Sequence, residues 1–141
     1  MNYFIFLDID GVLNQLQSWH IDKNCVEILA SIVKKYNANI VLTSSWRLGY
    51  CRNIKYCSPQ VRKLLGVFEG FGLAVYGRTE NLGDRQKEIE RYVETHGVGR
   101  YVILDDDASL FDQNVKDLYL VSPKTGLIKK DIKGVCHVLN E

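Results

Sequence analysis

Residues 3–7, Tyr-Phe-Ile-Phe-Leu, are apolar without a break and run straight into Asp8-Ile9-Asp10-Gly11. A strand with one wet face alternates apolar and polar residues. A continuous run is buried on both faces, as in a parallel sheet covered by helices. The same grammar returns twice. Residues 39–42 end in Thr43-Ser44-Ser45-Trp46-Arg47, and residues 101–104 end in Asp105-Asp106-Asp107. Residues 73–76 form a weaker strand candidate and residues 118–121 a fifth strand.

Helical patterns fall between these runs. From residue 22 to 37, Val26, Leu29, Ala30 and Val33 recur at helical spacing. A helix is expected somewhere between residues 46 and 65, broken or restarted at Pro59. Asp84 is placed to cap a helix whose Ile89, Tyr92, Val93 and His96 share one face. Ile128, Ile132, Val135 and Leu139 mark a closing helix. Strand alternating with helix predicts an α/β, three-layer, Rossmann-like fold. Its central sheet is five-stranded, mostly parallel and joined by right-handed crossovers.

Composition removes the competing classes. The 141 residues are 46% hydrophobic and 25% charged, the balance of an ordinary globular chain rather than a disordered or collagen-like one. Residues 1–141 are read as one domain, since nothing resembles a linker or a repeat. Eighteen basic residues against 17 acidic ones exclude a global polycationic coat. Cys25, Cys51, Cys57 and Cys136 lack metal-like pairing, and a domain of this size folds without bridges, so reduced thiols are expected. The first apolar run is too short for a signal-peptide core and no run approaches a membrane span, so the expectation is a cytoplasmic protein with no membrane partner.

Open parallel sheets bind ligands beyond the carboxyl ends of their strands. Here those ends gather Asp8, Asp10, Asp105, Asp106 and Asp107. Unpaired, such carboxylates repel and raise each other's pKa, a conflict that a divalent cation removes. Hard oxygen donors without neighbouring His or Cys suit Mg²⁺ better than zinc. Asp8 and Asp10 lie two apart, so in an extended segment they point the same way. One would attack a phosphorus while the other handles the leaving group's proton.

Residues 4–13, Phe-Ile-Phe-Leu-Asp-Ile-Asp-Gly-Val-Leu, resemble the first motif of the haloacid dehalogenase (HAD)-like phosphohydrolases. Residues 40–44 resemble the second motif and residues 102–106 the fourth, in the family's order. Thr43-Ser44-Ser45-Trp46-Arg47 together with Leu104-Asp105-Asp106-Asp107 is similar in particular to the small phosphatase domains of RNA-repair proteins. The resemblance implies a Mg²⁺-dependent phosphomonoesterase working through an aspartyl-phosphate. Asp8 would be the nucleophile and a metal ligand. Asp10 would be the general acid and then base, its backbone carbonyl also meeting the metal. Thr43 would bond the phosphoryl oxygens, with Ser44 as the alternative, and Asp105 and Asp106 would hold the metal. The third motif supplies a cation; Arg85 is favoured, with Lys87 as the other candidate.

Several of these residues also have ordinary readings. Asp107 and Ser45 suit helix caps, Trp46 a pocket wall, and Asn14 either a substrate contact or a turn. From Ser44 to Gly66 the chain carries Arg47, Arg52, Lys55, Arg62 and Lys63 and no acid. That run reads as a solvated face or as a phosphate-tracking patch, with Arg47 the leading substrate-phosphate contact. Only about 30 residues separate the first two motifs, too few for a large cap domain, so the site is expected to be open. The expected substrate is a nucleic-acid or nucleotide phosphate such as a 3′-phosphate end. The alternatives are a small-molecule or phosphoprotein phosphatase, or a non-catalytic phosphate- or metal-binding module.

Overall fold

The computed structural model describes residues 2–18 and 20–140. Five parallel strands make one sheet: β1 (Tyr3–Leu7), β2 (Asn39–Leu42), β3 (Val75–Arg78), β4 (Arg100–Asp105) and β5 (Leu118–Leu120). Their order is β3-β2-β1-β4-β5. The chain therefore winds outward from β1 through β3, then returns to the other side of β1. That reversal puts the topological switch point between β1 and β4, where the connections diverge and leave a crevice.

Four helices cover the sheet: α1 (Lys23–Tyr36), α2 (Pro59–Gly70), α3 (Arg85–His96) and α4 (Asp131–Asn140). Each of the first three starts on a residue whose side chain accepts from a backbone N–H of the first turn. Asp22 accepts from Asn24, Ser58 from Val61 and Asp84 from Lys87. The two faces are unequal. Ile5, Leu7, Ile40, Leu42, Val102 and Leu104 point into a large core with residues of α1, α2 and α4. Phe4, Phe6, Val41 and Ile103 point the other way, against Ile89 and Tyr92 of α3 and against Phe111. This alternation within runs that are apolar at every position is what a sheet buried on both faces requires.

Three departures from the sequence reading have local causes. Of the span 46–65 in which a helix is expected, the first part forms two short 3₁₀ turns, Ser45–Gly49 and Ile54–Tyr56, and the helix itself is α2, which starts at Pro59 in agreement with a restart there. Pro59 occupies the first turn of α2, where its missing N–H has no partner to lose, so it starts a helix rather than breaking one. The strand expected over residues 73–76 begins at Val75, because Leu73 turns back to bond Phe68 at the end of α2. Between β4 and β5 there is only a 3₁₀ turn, Ala108–Leu110, so strand and helix do not alternate to the end. All four cysteines are free. Among the described residues no helix is long and apolar enough to cross a membrane.

Candidate active site

Strand register builds the site. Leu7 pairs with Leu42 on one side and with Leu104 on the other. The next residue of each strand continues the row: Thr43 N–H donates to Leu7 O at 3.0 Å, and Asp8 N–H donates to Leu104 O at 3.0 Å. Thr43, Asp8 and Asp105 therefore stand side by side at the carboxyl edge. By strand alternation they share the face of Phe6, Val41 and Ile103, the face that α3 covers. Arg85, in the first turn of α3, reaches this row. Its Nη1 donates to Asp105 Oδ2 at 2.9 Å and lies 3.4 Å from Asp8 Oδ1.

Asp8, Asp105 and Asp106 bring carboxylate oxygens within 4.8 Å of one another. Burial pushes the Asp8 carboxyl up to about 8, with Asp105 adding repulsion and Arg85 only partly opposing it. Asp105 is likewise raised, by burial above all, although its bond to Arg85 pulls the other way. Burial works against the Arg85 charge, but the bond to Asp105 and the charge of Asp8 outweigh it and hold its pKa above the ordinary value. One guanidinium thus faces three carboxyls, and burial and mutual repulsion oppose the ionisation of Asp8 and Asp105. A hard divalent cation fits such a donor set.

Gly11 makes this proximity possible. Its φ of +82° suits a residue without Cβ, and a Cβ there would collide with the Asp106 carboxylate. The chain leaves the extended conformation at this point: Val12 and Leu13 both donate to Ile9 O. Asp8 and Asp10 differ in their surroundings. Asp8 is buried while Asp10 is exposed. Asp10 is held instead by two neutral donors, Asn14 Nδ2 to Oδ1 at 3.2 Å and Trp46 Nε1 to Oδ2 at 3.1 Å. Its carboxylate lies outside the three-acid cluster; the resemblance had assigned the metal its backbone carbonyl.

The remaining sequence candidates separate clearly. Thr43 is fully buried, and its Oγ1 has no hydrogen-bond partner. A dry hydroxyl left open beside the acidic row is unusual enough to mark a place for a ligand oxygen. Ser44 Oγ accepts from Trp46 N–H at 3.2 Å and caps the following 3₁₀ turn, the duty expected of Ser45. Lys87 is exposed, and its backbone N–H serves the Asp84 cap. Asp107 caps the turn at 108–110 by accepting from Ser109.

Arg47 is only 5% exposed. Its Nη1 donates to the carbonyls of Thr43 and Ser44, and its Nη2 meets Glu88 Oε2 at 3.0 Å. The guanidinium expected to meet a substrate phosphate is turned into the protein. Glu88 was not singled out from the sequence, yet it falls one turn before Tyr92 on the buried stripe of α3. An acid on an apolar helical stripe is the signal that locates it. Trp46 and Asn14 carry no comparable mark, because their role as holders of Asp10 depends on a turn and a contact across 36 residues.

A family model described as the HAD domain in Swiss Army Knife RNA repair proteins matches residues 4–132. No curated protein and no solved structure matches the chain significantly.

Proposed function

Since the chain belongs to the HAD domain family of Swiss Army Knife RNA repair proteins, we propose that it is a phosphomonoesterase that passes the phosphoryl group through Asp8. The observation that carries this reading is the row at the strand ends. A buried carboxylate, an unpartnered hydroxyl and a guanidinium converge there beside two further acids.

In the first half-reaction an Asp8 oxygen forms a bond to phosphorus and the ester P–O bond breaks. Asp10 gives its proton to the departing oxygen, so an alcohol leaves. In the second half-reaction the Asp10 carboxylate takes a proton from water. The hydroxide attacks phosphorus, the Asp8–phosphorus bond breaks, and inorganic phosphate is released with Asp8 restored. Arg85 and Thr43 Oγ1 hold the equatorial oxygens, which gain charge in the transition state. Asp8, Asp105 and Asp106 would hold Mg²⁺, which when bound supplies positive charge to offset the attacking carboxylate and the phosphoryl oxygens. Arg47 acts at one remove in this reading. It anchors the carbonyls of Thr43 and Ser44 and so fixes the hydroxyl that Thr43 presents. Lys87 has no part in the reaction. The favoured substrate is a nucleic-acid or nucleotide phosphate, in line with the RNA-repair setting of the family.

The test is phosphate release with Mg²⁺ and with EDTA from an aryl phosphate, mononucleotides and oligonucleotides phosphorylated at either end. Metal-dependent release that disappears in Asp8→Asn is the expected outcome. Turnover retained in Asp8→Asn overturns the mechanism. Metal binding with no release from any substrate turns the reading to a non-catalytic phosphate-binding module.

A further inference from the structure

The leaving oxygen departs on the side away from Asp8 and beside Asp10, the residue that protonates it. Whatever the phosphate is attached to must therefore fit next to Asp10. A cavity of about 210 Å³ lies there, lined by Asp10, Leu16, Gln17, Trp46 and Gln60 among others. It shares Trp46 and Gln60 with a second cavity of about 970 Å³ between the start of α1 and the face of α2. That second volume reaches the upper end of the range for clefts that bury a drug-sized ligand. The larger cavity thus adjoins the one at Asp10 across Trp46 and Gln60.

The larger cavity has two chemical characters. Its walls include the apolar side chains of Ile21, Trp46, Val67 and Phe71. Lys23 at the start of α1 and Lys63 on α2 supply cations, and no acid is found among its described lining residues. A flat apolar group fits the first character and an anion the second. A polynucleotide end combines the two in sequence: an alcohol carrying the phosphomonoester, a base, then the next phosphodiester. A phosphopeptide offers no second anion at a fixed distance from the reacting oxygen.

We propose that this groove is the leaving-group subsite and that it takes the terminal nucleotide of a phosphorylated polynucleotide strand. The base lies along the apolar wall and the adjoining phosphodiester meets Lys23 and Lys63. The inference rests on the phosphatase reading for its direction, because Asp10 fixes which cavity receives the leaving group. It also supplies the polymer contact that Arg47, engaged with Glu88, does not make. Binding remote from the reacting atoms then contributes to turnover of the long substrate alone.

Two variants test it. Lys23→Glu/Lys63→Glu reverses the cations. Gly66→Trp puts bulk into the groove from an exposed helical position where a Cβ meets nothing within 4 Å. Rates are compared on 3′- and 5′-phosphorylated oligonucleotides, a phosphoserine peptide and an aryl phosphate. In both variants the ratio of oligonucleotide to aryl phosphate kcat/KM should fall at least tenfold. An unchanged ratio in both, or a phosphopeptide preferred and lost in its place, overturns the proposal. Fluorescence anisotropy with a labelled 3′-phosphorylated oligonucleotide separates this proposal from the mechanism. If no substrate is turned over yet the oligonucleotide binds and both variants weaken it tenfold, the groove stands and the phosphatase reading falls. Metal-dependent aryl phosphate turnover with no oligonucleotide binding keeps the mechanism and overturns the groove.

Discussion

Arg47 Nη2 and Glu88 Oε2 sit 3.0 Å apart with both side chains closed off from solvent. The pair joins the two halves of the site. From Arg47, bonds run to the carbonyls of Thr43 and Ser44 at the end of β2. From Glu88, the same Oε2 accepts the N–H groups of Leu82 and Gly83 in the loop leading into α3. Arg85 lies one turn before Glu88 on that helix, so the ion pair sets the hydroxyl of Thr43 and the guanidinium of Arg85 in one frame.

Breaking one side of such a pair leaves an uncompensated buried charge. Arg47→Met should destabilise the fold by about 3–5 kcal/mol. Arg47→Met/Glu88→Leu should recover part of that loss, since neither charge is then stranded. Chemical denaturation of the two singles and the double reads the coupling. Additive losses would show that the two residues act separately.

Thr43 gives the opposite expectation. Its Oγ1 has no partner to lose, so Thr43→Val should leave the unfolding midpoint unchanged or raise it slightly. Turnover should fall by roughly a hundredfold, the scale of one transition-state donor. Thr43→Ser should keep most of the rate. A loss of stability without a loss of rate would place the hydroxyl in a structural role.

Trp46→Phe removes the Nε1 donor to Asp10 while keeping an aromatic wall in the groove. The expected cost is about tenfold in kcat. It should be larger for alkyl phosphates, whose leaving oxygen needs the proton, than for aryl phosphates with acidic leaving groups. Equal losses across leaving groups would assign Trp46 to binding rather than to orienting the acid.

The carboxyl of Asp8, held near 8 by burial and by Asp105, links stability to pH. An unfolded aspartate titrates near 4, so between about 4 and 8 the folded protein binds the extra proton. Metal-free protein should lose stability as pH rises through that window. Saturating Mg²⁺ should flatten the slope, and so should Asp8→Asn, which also ought to be the more stable protein at pH 8 without metal. Thermal melts across pH, with EDTA and with Mg²⁺, check all three. A stability that rises from pH 5 to 8 without metal would contradict the burial of Asp8.

Most of the sheet strands, the cap at Asp84 and the two acidic strand ends were legible because each is a local pattern. Continuous apolar runs report a sheet covered on both sides, and the residue just after each run reports the ligand edge. The stretch from 46 to 58 was not legible. It is held by caps at Ser44, Asn53 and Ser58 and by a single buried guanidinium rather than by an apolar period. Glu88 carried a local sign, an acid on a buried stripe, but its partner lies 41 residues away.

By itself the sequence determined where the candidate residues fall along the chain: Asp8, Thr43, Asp105 and Asp106 follow apolar runs and Arg85 follows a helix cap, and short-range patterns of this kind are written in the chain. Only the tertiary structure decided how they divide the work. Register between β1, β2 and β4 set Asp8, Thr43 and Asp105 in one row. A positive φ at Gly11 let the chain turn close past Asp106, and a bond from Trp46, 36 residues on, reached Asp10. Burial then decided between two cations of one helix turn and a third after β2. Arg85 stays at the acids, Lys87 faces solvent, and Arg47 is closed in with Glu88. These outcomes depend on contacts between residues far apart in the chain, where no spacing in the sequence records which partner a charge will find.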